Sequence, residues 1–170
     1  MQCSQRTEDK NGEEQHMQTE TKKPTAVPSS RGRKIHVLGH EITLKLTCRE
    51  TGGEYIVYEV ETPPGVGVPL HVHRHEDEFF RVLDGEFEFQ LDQQIQKVTS
   101  GAMVNFPKNI PHAFRNIGTK PGRTFWTVMP GANFEKFFEE LGSLPADREP
   151  DMGKVTEIFN RHDIKILPPQ

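Results

Sequence analysis

The sequence is poor in cysteine, carries no long apolar run and has no sustained block of one charge. Its two cysteines, Cys3 and Cys48, are too few and too far apart for a disulfide framework or a cysteine-based metal site. Cys48 reads instead as a small buried residue in a strand. No stretch is apolar enough to span a bilayer, and none near the start has the pattern of a secretory leader, so the expectation is a cytoplasmic protein without a membrane partner. The net charge is -4, and beyond the short Arg31-Gly32-Arg33-Lys34 there is no basic block, which argues against a nucleic-acid partner. No internal repeat is apparent. Large apolar side chains are almost absent from residues 1–33, which cannot bury enough surface to offset the entropy of ordering. That segment is expected to be a flexible arm, with His16 a solvated bystander.

From Lys34 onward the pattern becomes one of short alternating runs separated by turn residues: KIHVLG, EITLKLTC, EYIVYEVE, FFRVL, EFEFQL, QQIQKV, AMVNF, HAFRNI and RTFWTVM. FFRVL and EFEFQL, joined at Asp84-Gly85, are expected to form a hairpin. So many short strands point to a closed or sandwiched all-β architecture over residues 34–130, because closure removes exposed edges. The period changes in residues 131–170. Phe134, Phe137, Phe138 and Leu141 fall at helical spacing and predict an amphipathic helix whose stripe packs on the barrel. A second helix is expected from Asp151 to Asn160, with Met152, Val155 and Phe159 on one side, followed by IKIL as an edge strand.

Within this series the stretch GVGVPLHVHRHEDEFFRVLDGE, from Gly65 to Glu86, holds the residues with metal chemistry. His71 and His73 lie two apart on one strand face, with Cα atoms roughly 6–7 Å from each other, and can reach one point. Glu78 lies beyond a short polar step, and His112 opens a later strand that can face the first pair across the barrel. Two imidazoles, a carboxylate and a third imidazole make a plausible metal site. His75, Glu76 and Asp77 read as a solvated polar turn, and His36, His40 and His162 as structural histidines.

The same residues resemble the cupin family. The first cupin motif is matched by Gly65, His71, His73, Glu78 and Gly85, and the second by Gly101, Pro107, His112 and Asn116. Asn109 stands where the second motif has glycine; a positive φ is expected there, which Asn tolerates best among the other residues. The resemblance implies a cupin double-stranded β-helix, a jelly-roll barrel, here with two short C-terminal helices. It also implies one divalent transition metal ion (Fe, Mn, Ni, Co, Cu or Zn) held by His71, His73, Glu78 and His112.

The activity that follows by similarity to quercetinase-like cupins is that of a dioxygenase acting on a small aromatic or enolisable substrate. Such a substrate chelates through adjacent oxygens, with Glu78 as catalytic proton acceptor. The alternatives are a metal-dependent isomerase or decarboxylase, or a non-catalytic small-molecule binder. Candidate pocket residues are Phe80, which shares the parity of Glu78, Phe114, which shares that of His112, and Trp126 and Tyr55. The inward face of residues 123–129 is left open between Trp126 and the Phe125/Met129 set, and the choice between Tyr55 and Tyr58 is open likewise. The leading strands are expected to pair across a two-fold axis in a homodimer.

Overall fold

The computed structural model describes residues 24–145 and 148–168. Most of the expected N-terminal arm, with Cys3 and His16, lies outside the described residues. The alternating runs form strands β1 (Arg33–Val37), β2 (His40–Leu46), β3 (Ile56–Thr62), β4 (Gly67–His73), β5 (Asp77–Asp84), β6 (Glu86–Leu91), β7 (Gln94–Thr99), β8 (Met103–Phe106), β9 (His112–Asn116) and β10 (Gly122–Met129). A last strand, β11 (Ile164–Ile166), follows the C-terminal helices. Two antiparallel sheets result, in the orders β1-β2-β3-β10-β5-β8 and β11-β4-β9-β6-β7. This is the expected all-β double-stranded β-helix.

Strand parity fills the space between the sheets. On β5, Glu78, Phe80 and Val82 point inward while Arg81 is exposed; on β10, Thr124, Trp126 and Val128 point inward. Met129 is 43% exposed, so the face of β10 left open by the sequence is the one carrying Trp126. Trp126 stacks on Phe80 with ring centroids 4.4 Å apart, and Phe80 in turn lies against Phe89 and Phe106. These rings pack together in the core.

The chain departs from its expected course at two points, the connection from β5 to β6 and Cys48. FFRVL and EFEFQL do not pair: β5 belongs to one sheet and β6 to the other. A single residue, Gly85, separates them, fewer than the two a tight hairpin needs. Gly85 has φ 98°, and a Cβ there would meet Gly122 Cα at 2.8 Å, so glycine lets the chain cross between sheets at a close approach. The hairpin is instead β6–β7, turning at Asp92-Gln93. Cys48 is not a strand residue but begins the short helix α1 (Cys48–Thr51), whose N-cap Thr47 forms a capping box with Glu50.

Helix α2 (Ala132–Gly142) buries Phe134, Phe137, Phe138 and Leu141, each side chain contributing about 1.5–3 kcal/mol by its removal from water. Helix α3 (Met152–Arg161) starts at Asp151, whose carboxylate accepts hydrogen bonds from the backbone N–H groups of Gly153 and Lys154. Its buried face is Val155, Ile158 and Phe159; Met152 is 54% exposed because the whole first turn stands in solvent. IKIL supplies β11, which pairs with β4. Among the described residues no helix is long and apolar enough to cross a membrane.

Candidate metal centre

Two strands of one sheet carry the three histidines, and the opposite sheet carries the carboxylate. His71 and His112 are direct partners across β4 and β9, after a bulge between Val68 and His71. On the other edge of β4, Ile164 and Ile166 of β11 stand opposite His73 and His71. Glu78 comes from β5, facing them through the barrel. Asn109 adopts φ 65° in the turn before β9, and its N–H donates to the His73 carbonyl at 2.7 Å, which ties that turn to β4.

The structure brings His71, His73, Glu78 and His112 together: one donor atom from each lies within 4.8 Å of every other. All four are buried. The Nδ1–H of His71 donates to the Pro69 carbonyl at 2.8 Å, and that of His112 to the Ile110 carbonyl at 2.9 Å. A carbonyl only accepts, so in both rings Nδ1 carries the proton and Nε2 keeps its lone pair. Phe106 stacks on His112 at 4.3 Å and fixes that ring.

Nε2 of His73 and Nε2 of His112 lie 3.8 and 3.3 Å from Glu78 Oε2, yet both nitrogens are buried without a hydrogen-bond partner. Each such orphaned atom costs about 1–3 kcal/mol, which a shared cation would offset. The donor chemistry therefore fits a divalent ion.

The electrostatics prepare the ligands. Burial, followed by repulsion from His112 and His73, pushes the His71 pKa well below the usual imidazole value and keeps the ring neutral. Burial alone would raise the Glu78 carboxyl. The three imidazoles facing it, His73 first and then His112 and His71, outweigh burial and hold its pKa at about 2, so the group is a carboxylate near neutral pH. Asn116, the last residue of the second motif, is no ligand. Its Nδ2 donates to the Thr62 and Lys120 carbonyls at 2.8 and 2.9 Å, closing the loop at the end of β9.

Above the four donors is a cavity of about 70 Å³ with almost wholly apolar walls. Phe114 lines it, as its parity with His112 implies, and so does Trp126, on the face of β10 that the sequence left open. Phe80 and Tyr55 do not. Phe80 points inward but is 0% exposed, sealed beneath Trp126. Tyr55 precedes β3 and is only half-buried, so Tyr58, on the inward parity with Ile56 and Val60, lines the cavity instead.

Three further features were not foreseen. The α2 stripe is more than packing, since Phe134, Phe137, Phe138 and Leu141 form the roof of the cavity together with Phe159 of α3. Inside the cavity, His40 contributes a buried imidazole with Nδ1 3.1 Å from Thr62 Oγ1. Glu76, expected in solvent, is 0% exposed, and its Oε2 lies 3.6 Å from His73 Nδ1. The available signal was its spacing three residues after His73, within reach of the far side of that ring.

Residues 58–128 match the family model described as a cupin domain. Over 101 residues the chain is 31% identical to quercetin 2,3-dioxygenase of Bacillus subtilis, across 59% of this chain and 30% of that protein. It is 33% identical over 67 residues to protein SchB of Streptomyces halstedii, across 39% of this chain and 49% of that one. The chain thus spans 30% and 49% of the lengths of these two curated relatives. Among solved structures, a predicted oxalate decarboxylase from Thermotoga maritima is 21% identical and shares the fold with a TM-score of 0.57, over 62% of this chain and 99% of that one. Barrel, linked motifs and family match agree that residues 58–128 of this chain form a cupin domain.

Proposed function

We propose that the chain is a metal-dependent dioxygenase acting on a small aromatic or enolisable substrate that chelates through adjacent oxygens, with His71, His73, Glu78 and His112 as the metal ligands. The observation that carries the reading is the convergence of four buried donors, two of them orphaned nitrogens, on the floor of an apolar cavity. The 31% identity to a quercetin 2,3-dioxygenase supports the choice of chemistry. A bound divalent ion would supply Lewis acidity toward the substrate oxygens and, where redox-active, a path for electrons to dioxygen.

The chain's own groups bind, orient and move the proton. Glu78 is the proton acceptor; a carboxylate with a pKa of about 2 is a weak base, suited to a proton made acidic by chelation. Tyr58 stays a neutral phenol in the cavity wall, because burial and then the charge of Glu78 hold its pKa well above the usual value. Phe114 and Trp126 offer flat apolar faces to a conjugated substrate, and the roof of α2 keeps bulk water out.

Cavity size bears on the substrate. A cavity of roughly 150 Å³ is enough for benzene, and this one holds about 70 Å³. The aromatic roof must therefore shift to admit substrate, and a compact enolisable diketone demands less opening than a flavonol. The test is oxygen uptake by protein loaded in turn with Fe, Mn, Ni, Co or Cu, with Zn as the redox-inert control, against β-diketones and flavonols. Oxygen consumption in step with substrate loss supports the reading. Turnover with Zn and no oxygen uptake would move it to a metal-dependent isomerase or decarboxylase, and tight ligand retention without turnover to a binding module. The reading extends to a homodimer paired through β1, an edge strand of its sheet; light scattering that gives a monomer mass contradicts that extension.

A further inference from the structure

The polar turn between β4 and β5 hides a carboxylate. His75 is exposed, but Glu76 beside it is fully buried. Glu76 Oε1 accepts a hydrogen bond from Asn133 Nδ2 at 2.9 Å. Its Oε2 has no hydrogen-bond partner and lies 3.6 Å from His73 Nδ1, which is also buried and unpartnered. His71 and His112 each have a backbone carbonyl to orient Nδ1; His73 faces Glu76 instead. Asn133 is itself fixed. Its Nδ2 also donates to the His162 carbonyl at 3.0 Å, and its Oδ1 lies 2.8 Å from His162 Nδ1. His162 Nε2 in turn lies 3.1 Å from Glu140 Oε1. A continuous chain of polar groups therefore runs from His73 through Glu76 to Asn133 on α2 and to His162 in the turn after α3.

We propose that Glu76 is a positioning residue: it fixes Nδ1 as the protonated nitrogen of His73 and so frees Nε2 for the metal. Asn133 and His162 hold Glu76 in place, and the C-terminal helices thereby set metal affinity. The inference rests on the metal reading of the four-residue cluster. An ionised carboxylate only accepts, so the Oε2–Nδ1 approach is favourable only when Nδ1 bears the hydrogen. Histidines that ligate metals commonly donate their other N–H to a carboxylate or carbonyl, and loss of that partner typically lowers metal affinity 10–100-fold. Burial of Glu76 is costly unless its second oxygen is also used, and His73 is the group facing it.

The decisive variant is Glu76→Gln, which keeps shape and the bond to Asn133. Because His162 holds Asn133 with its Nδ2 toward residue 76, the Gln oxygen must face Asn133 and the Gln amide N–H must face His73. Nδ1 of His73 then has to accept, and the ring proton moves to Nε2. The expected result is a fall in Zn(II) affinity of about 10–100-fold in competition with a chromophoric chelator. In metal-free protein, ¹⁵N NMR should show His73 changing from the Nδ1–H to the Nε2–H form. Asn133→Ala, which releases Glu76 without changing a charge, should lower Zn(II) affinity several-fold and carries the test if Glu76→Gln does not fold. Unchanged Zn(II) affinity together with an unchanged His73 tautomer overturns the inference. Failure of the wild-type protein to bind Zn(II) strikes at the metal reading, while the tautomer measurement, which needs no metal, decides the role of Glu76 separately.

Discussion

Acid should destabilise this protein through His40, and the size of the effect follows from its surroundings. The ring is 4% exposed, with Nδ1 3.1 Å from Thr62 Oγ1 and Nε2 without a hydrogen bond. Burial lowers its pKa from 6.5 to about 4, only partly opposed by the Gly67 backbone. Between those values the unfolded chain holds a proton that the folded chain does not. Stability is therefore full above the unfolded pKa, declines as pH falls toward the folded one, and declines no further below it. At about pH 4.5 the loss amounts to about 2.5 kcal/mol, from ~1.4 kcal/mol per unit of pKa difference. His40→Gln keeps a polar group near Thr62 and does not titrate. Urea unfolding of both proteins, with chelator present, at about pH 7.5 and about pH 4.5 checks the reasoning. The stability difference between the two pH values should be smaller in the variant by about 2.5 kcal/mol; equal differences in the two proteins would refute it.

Two further outcomes follow from the roof and wall of the cavity. Phe137 is 4% exposed and packs on Phe134 and Phe159 with ring centroids 5.3 and 4.9 Å away. Phe137→Ala should cost about 3–5 kcal/mol in urea unfolding, and a loss below about 1 kcal/mol would contradict the packing of α2 on the barrel. Trp126 is the single tryptophan of the chain and lines the same cavity as the four donors. Cu(II) or Ni(II) should therefore quench its fluorescence in the wild-type protein but not in His71→Ala; equal quenching in both would place the ion elsewhere.

Much of the barrel was legible because strand parity is a local property. The alternation of Glu78, Phe80 and Val82, and that of His112 and Phe114, survives folding as inward faces on β5 and β9. Asn109 at a positive φ was legible for the same reason, since the turn imposes the conformation and the residue tolerates it. Partners across the barrel were not legible. Asp84-Gly85 looks the same whether the chain folds back or crosses to the second sheet, and the close pass of Gly85 by Gly122 decides it. Tyr55 and Tyr58 could be ranked only once β3 was known to begin at Ile56. Glu76 read as solvated because its burial depends on Asn133 and His162, far away in sequence, closing over the turn. The α2 stripe read as packing because helical periodicity identifies an apolar face without saying what that face covers.

The most direct test of the account is metal analysis of the purified wild-type protein beside His71→Ala and His112→Ala, before and after incubation with divalent ions. About one equivalent of a transition metal per chain in the wild type, lost in both variants, is the predicted result. No metal in the wild type and none taken up on addition, or full retention in both variants, would contradict it.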